Sequence, residues 1–196
     1  MRNRFASLLT VLTILFSQNA CEDGSSPFFP RLSEEYFPLQ VGNRWTYSLQ
    51  YPSGTYVLQY EIVDTRTIGS HEYFVSRRSF DLAVNQDSSY YRIDASGRIF
   101  TNREGEDALY IDFNRDVGES WESYSDYVAR ISKRDFEMNV PLGRFENCIE
   151  VFFDYPPAID DELWEVYSPG IGPVEFRGQI GSLQLVSAVV NGVEIE

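Results

Sequence analysis

Apolar and polar residues alternate along most of the chain. Trp45, Tyr47, Leu49 and Tyr51 interleave with Arg44, Thr46, Ser48 and Gln50, the period of two expected of a strand with one face on a core and the other in water. Tyr56, Leu58, Tyr60 and Ile62 resume the pattern after Pro52-Ser53-Gly54, so the two runs predict a hairpin. Further short runs rich in aromatic or β-branched residues occupy 73–76, 90–93, 99–101, 109–113, 127–132, 149–155, 163–167, 174–177 and 183–190. Turn formers separate them, among them Asp94-Ala95-Ser96-Gly97, Pro156-Pro157 and Asn191-Gly192. No segment after residue 30 keeps apolar positions at helical spacing over three turns. The pattern predicts an all-β fold: a single antiparallel domain, built either as a curved sheet or open barrel or as a β-sandwich.

The first twenty residues follow another plan. Arg2 and Arg4 precede an apolar stretch from Phe5 to Phe16, broken by Ser7, Thr10 and Thr13, which leads to Asn19-Ala20-Cys21. This is the layout of a helical signal peptide. The stretch is too short for a membrane-spanning helix, which needs about 20 apolar residues. Ala20-Cys21 resembles the core of the lipobox of bacterial lipoproteins, and the resemblance implies that Cys21 is acylated and becomes the first residue of the mature chain. Gln18 stands where that motif usually has an aliphatic residue, so ordinary secretion with cleavage near Ala20 is the alternative. The expected organisation is a signal peptide over 1–20, a polar tether over 21–35 and a β domain over 36–196. In the tether, Glu22-Asp23 looks like the export signal that takes some Bacteroidota lipoproteins to the cell surface. The expected location is the outer membrane, on its periplasmic side or at the cell surface, with acyl chains holding a domain that stays in water.

Composition narrows the partners. The formal charge is -14 with Arg2 and Arg4 included and is two units more negative without them, which makes nucleic acid and bare anionic lipid poor partners. Lys133 is the one lysine among 16 basic residues. With Cys21 acylated, Cys148 has no disulfide partner. Its apolar surroundings, Ile149-Glu150-Val151-Phe152-Phe153, predict a small buried hydrophobe in place of a nucleophile.

Candidate chemistry is sparse. His71 is the only histidine, so a multi-histidine zinc site is excluded; its place beside Gly69-Ser70 suggests a strand start. Asp112-Phe113-Asn114-Arg115-Asp116 spaces oxygen side chains as calcium loops do. Its glycine, Gly118, comes one residue late, and Ser123 stands where the loop needs glutamate, which predicts a polar turn. Asp160-Asp161-Glu162 and Glu104-Gly105-Glu106-Asp107 could pair carboxylates for glycoside hydrolysis only if folding brought them together. Gly170-Ile171-Gly172 lies between Pro169 and Pro173, as a turn would and a phosphate loop would not. The pentapeptides Val41-Gly42-Asn43-Arg44-Trp45 and Val117-Gly118-Glu119-Ser120-Trp121 share the pattern V-G-x-x-W, with glycine permitting a tight turn before the tryptophan packs inward. No catalytic residue, metal ligand or cofactor-binding residue is assigned, and Cys21 is the one site expected.

Three stretches carry a resemblance. Phe37 to Tyr47 (FPLQVGNRWTY), Val140 to Cys148 (VPLGRFENC) and Tyr167 to Val174 (YSPGIGPV) are similar to signatures of β-rich lipoproteins of Bacteroidota and neighbouring phyla. That family brings no established activity and no catalytic residues. A looser architectural similarity is to the open-barrel lipoprotein carriers of the Lol pathway, which implies a curved sheet around an apolar groove. The expected function is therefore non-enzymatic: a membrane-anchored module that binds an envelope protein or a glycan. The alternatives are a carrier or sensor of an apolar small molecule and, more remotely, an envelope hydrolase using loop carboxylates. A carrier requires a continuous cavity lined by residues such as Tyr, Phe and Leu. A hydrolase requires two carboxylates in one cleft, and an interaction module an exposed apolar patch.

Overall fold

The computed structural model describes residues 31–51, 54–80, 87–158, 161–179 and 181–196; the expected signal peptide and Cys21 lie outside the described residues. A short helix, α1 (Leu32–Tyr36), precedes the strands. They are β1 (Arg44–Tyr51), β2 (Gly54–Ile68), β3 (His71–Phe80), β4 (Asp87–Ile93), β5 (Ile99–Arg103), β6 (Glu106–Ile111), β7 (Ser120–Glu122), β8 (Val128–Val140), β9 (Gly143–Asp154), β10 (Leu163–Ser168), β11 (Gly172–Gly178), β12 (Gly181–Val190) and β13 (Val193–Ile195). A 3-10 turn, Tyr124–Asp126, joins β7 to β8.

All the strands belong to one sheet, in the order β6-β5-β4-β3-β2-β1-β12-β11-β10-β9-β8-β7, with β13 added to β12. The order is a continuous up-and-down path in which the first strand meets the twelfth: Trp45 lies opposite Ala188 and Leu49 opposite Leu183. Of the two architectures left open by the sequence, the chain takes the curved sheet, rolled into a nearly closed barrel. Bulges add the bend that rolling needs. The extra residues are Val186 of β12 opposite β1, Val63 of β2 opposite β3, Tyr110 of β6 opposite β5 and Val174 of β11 opposite β10. The longest hairpin, β8–β9, slips register three times. Asp135 and Asn147 in that hairpin adopt left-handed backbone conformations.

The remaining seam runs between β6 and β7, and side chains close it. The Trp121 indole N–H donates to the Tyr110 carbonyl at 3.2 Å, and the Ser123 hydroxyl reaches the Leu109 and Tyr110 carbonyls at 3.0 and 3.1 Å. Trp121 ends the second V-G-x-x-W segment. In the first, the Trp45 indole N–H donates to the Ile171 carbonyl at 2.7 Å. Gly42 and Gly118 have φ of +96° and +89°, so both glycines supply the left-handed turn that aims a tryptophan inward, as the pattern predicted.

Residues of the three signature stretches hold parts of the barrel together. Pro38 and Trp45 from the first pack on Gly172 from the third, where a Cβ would stand 3.1 Å from the Trp45 indole nitrogen and 3.2 Å from Pro38 Cδ. Tyr47 donates to the Pro173 carbonyl at 2.8 Å. The second stretch forms the β8–β9 turn, and its Leu142 N–H donates to the Leu185 carbonyl of β12 at 3.0 Å.

Residues 32–36 form α1, in which Ser33 and Tyr36 are buried. The Gly170 N–H donates to the Glu35 carbonyl at 2.8 Å, which docks this helix on the β10–β11 turn. Strands β7 and β13 were not expected, because three residues are too few to show a period. Phe113, placed in a strand by its apolar neighbours, sits fully buried in the turn after β6.

Candidate ligand cavity

The barrel is incompletely filled. One buried cluster combines Tyr36, Phe37, Ile99, Tyr110, Phe113, Trp121, Ile131, Phe153 and Tyr167 with their neighbours; a second gathers around Trp45, Tyr47, Leu58, Ile62, Val166, Val174 and Leu185. A cavity of about 500 Å³ opens beside them, within the usual range of small-molecule sites. Its wall carries rings from many elements: Phe37 after α1, Tyr60 of β2, Tyr91 of β4, Tyr110 of β6, Tyr124 of the 3-10 turn, Tyr167 of β10 and Phe176 of β11. Phe37 stands 5.3 Å from Tyr91 and 5.9 Å from Tyr167 between ring centres, and Tyr110 stands 5.4 Å from both Tyr91 and Tyr124. Edge-on and tilted contacts of this kind hold the rings in place.

Glu165 reaches this cavity from β10. Strand alternation sends it to the same face as Tyr167, two residues on. It is 8% exposed. The Tyr110 hydroxyl lies 2.7 Å from each of its carboxyl oxygens, and the Tyr167 hydroxyl makes a short bond to one of them. No ion pair to Glu165 occurs among the described residues. Burial pushes its pKa up to about 7, and the two tyrosine hydrogen bonds offset only part of that rise. The tyrosines respond in turn: burial first, and then the Glu165 charge, raise Tyr91, Tyr110, Tyr124 and Tyr167, so these phenols stay neutral.

Glu150 makes the contrast. It is also buried, but Lys133 lies 3.2 Å away, Arg177 makes a short ion pair with it and Ser132 donates at 2.7 Å. Burial still presses its pKa upward, but the hydrogen bonds from Ser132 and Lys133 and the charges of Arg177 and Lys133 prevail, leaving it lowered. Glu175, equally buried, has Arg177 Nε at 3.1 Å and accepts from Ser182 at 2.8 Å. These two buried glutamates are thus matched with cations.

Polar side chains complete the lining: Ser76 and Thr101 are buried, Asn102 is half-buried, and Arg78, Asp87, Ser88, Ser89 and Arg103 lie at the exposed mouth. Arg78 pairs with Asp87 at 2.8 Å, and Arg103 donates to Ser125 Oγ at 2.9 Å.

The candidates raised by the sequence lie elsewhere. His71 is exposed at the start of β3. Cys148 is buried without a disulfide, and burial raises its thiol pKa to about 11. In the 112–116 turn, Asp112 Oδ1 accepts from the Asn114 backbone and side chain at 3.1 and 3.2 Å, while Arg115 Nε meets Oδ2 at 3.1 Å. Among the described residues no three His, Cys, Asp or Glu side chains converge to hold a metal ion. Of the loop carboxylates, Asp107 accepts from Tyr73 at 2.8 Å and pairs with Arg92. Glu104, Glu106, Asp107, Asp161 and Glu162 do not line the cavity, and Asp160 lies outside the described residues. Glu165 was not among the candidates that the sequence raised. Its signal was a single acid inside the apolar run Leu163-Trp164-Glu165-Val166-Tyr167.

The geometry defines a class: a nearly closed up-and-down barrel with an aromatic-walled internal cavity and a buried carboxyl group. No family model matches the chain, and no curated protein does. Solved structures similar to it include a chain from Bacteroides fragilis described as an exported protein with a YmcC-like fold. That likeness covers 79% of this chain and 98% of the other, at 17% identity and a TM-score of 0.45. A chain from Parabacteroides distasonis described as a lipoprotein covers the same shares at 15% identity and a TM-score of 0.44. Both likenesses are distant.

Proposed function

We propose that this domain is a non-catalytic binder of a small molecule, working as a carrier or sensor in the cell envelope and tethered there through Cys21. The observation that carries the reading is the cavity of about 500 Å³ walled by seven aromatic side chains. The sequence put an interaction module first and a carrier second, and the cavity reverses that order. The exposed large apolar residues that an interaction module would use, Leu32, Val41, Phe80, Val117 and Val193, come from separate elements and connections. A hydrolase finds little support: in the cavity Glu165 stands with Asp87, whose carboxylate is occupied by Arg78 at the exposed mouth. The signal peptide layout and Ala20-Cys21 support an envelope address at the outer membrane, facing the periplasm or the cell surface.

Native mass spectrometry of the full chain, purified gently from the envelope of its own host, tests the reading. A retained small molecule, lost on denaturation, is expected. A clean protein mass, or a complex with another protein and an empty cavity, would overturn the carrier and restore the interaction module.

A further inference from the structure

We propose that the occupant of the cavity is an organic cation: an ammonium group seated against Glu165, joined to an apolar or aromatic body lying on the surrounding rings. The inference rests on the ligand-binding reading and narrows it to one chemical class.

Charge matching is the first argument. Glu150 and Glu175 are buried beside Lys133 and Arg177, whereas among the described residues the hydrogen-bond donors to Glu165 are the phenols of Tyr110 and Tyr167. The two arginines that line the cavity are already engaged, Arg78 by Asp87 and by the Tyr60 hydroxyl, and Arg103 by Ser125. An ionised carboxyl in such surroundings is costly unless a counter-charge arrives, and the cavity beside it has room for a ligand to bring one. Hydrogen bonding gives the second argument. A carboxylate offers about four lone-pair sites and no donor, and two tyrosine hydroxyls occupy part of that capacity. Once Glu165 has ionised, what remains can only accept, so the group that matches its ionised form is a donor.

The walls agree. The faces of aromatic rings are electron-rich and attract cations, most strongly when water is excluded, and Tyr60, Tyr91, Tyr110 and Phe176 line the same cavity as Glu165. An anionic ligand would meet the carboxyl and the same ring faces with the wrong sign. The whole-chain charge of -14 also draws cations toward the protein.

The cation preference should follow pH. Glu165 is faced by Tyr167 on its own strand, Tyr110 of β6, Tyr91 of β4, Tyr60 of β2, Tyr47 of β1 and Tyr124 of the 3-10 turn, all held neutral by burial. Arg78, Asp87 and Arg103 are the charged groups at the mouth. Glu165 is therefore the group inside that exchanges its proton near neutrality, and a cation binds best once that proton has left.

The test is calorimetric titration of the full chain with three matched sets: 2-phenylethylamine and tryptamine, the alcohols 2-phenylethanol and tryptophol, and the carboxylates 3-phenylpropanoate and indole-3-propionate. At pH 8 the amines are expected to bind about tenfold or more tighter than the alcohols, the gain of a desolvated cation–carboxylate and cation–π contact, with the carboxylates weakest. The preference for amines should shrink as pH falls toward 5.5, a readout that needs no variant, and should vanish in Glu165→Gln. Alcohols binding as tightly as amines at pH 8 would overturn the cation while leaving the ligand-binding reading intact. If no compound of the three sets binds and the native mass spectrum is clean, both are overturned.

Discussion

Glu165 dominates at the scale of single residues because its ionisation is coupled to folding. Its pKa is about 7 in the folded chain, against an ordinary value of 4.5. Between these values the folded state keeps a proton that the unfolded state has released, so folding is weakened as pH rises. Stability owed to this group is complete below about pH 4.5 and lost by the time pH has passed about 7. The loss amounts to roughly 3 kcal/mol, because each tenfold difference in proton affinity between the two states is worth about 1.4 kcal/mol. Denaturant midpoints from pH 4 to 8.5 should show the fall in the wild type. Glu165→Gln, which cannot ionise, should flatten that part of the curve and exceed the wild type in stability at pH 8. A curve unchanged by the substitution would mean that Glu165 is ionised without cost, through water or a partner. The residue was legible in the sequence only as an anomaly, an acid between apolar neighbours. Its inward direction followed from its parity with Tyr167. The tyrosine at its other side, Tyr110, is 55 positions away, beyond any local pattern.

At the scale of elements, the seam between β6 and β7 links closure to the cavity. β6 carries Tyr110, whose hydroxyl holds Glu165 and whose carbonyl accepts from both Trp121 and Ser123. A hydrogen bond of this kind contributes about 1 kcal/mol net. Combining Trp121→Phe with Ser123→Ala should therefore cost about 2 kcal/mol and speed hydrogen exchange in β6 and β7, leaving the β1–β2 and β1–β12 ladders protected. Exchange that speeds equally in all strands would show that the seam opens only with global unfolding. The strands themselves were largely legible from alternation, since most expected runs fall inside observed ones. The exceptions follow from length and context. The three-residue β7 and β13 carry no readable period, and α1 is too short for helical spacing to be visible. Phe113 was assigned to a strand because its neighbours are apolar, but the core takes it from a turn.

At the scale of the whole molecule, the nearly closed barrel supplies the cavity, and the proposed anchor at Cys21 would hold it near a membrane. The expected anchor can be tested separately from the cavity. Growth of the host with labelled palmitate should mark the wild-type chain, while Cys21→Ser should stay unlabelled and partition into the aqueous phase of a detergent phase separation. Label retained by Cys21→Ser would place the acyl chain elsewhere, and a wild-type chain without label would replace lipidation with plain secretion.

The sequence by itself determined the local rules: which residues alternate, and where glycine must turn the backbone before a tryptophan. These depend on neighbours within a few positions, where backbone geometry has a fixed period. Tertiary structure alone decided that the sheet rolls into a barrel, that β1 meets β12, and that side chains close the β6–β7 seam. It also decided that seven rings and one buried carboxyl share a cavity. Such outcomes depend on twist and bulges accumulated over the whole sheet, each bending the path slightly. No short stretch of sequence contains their sum.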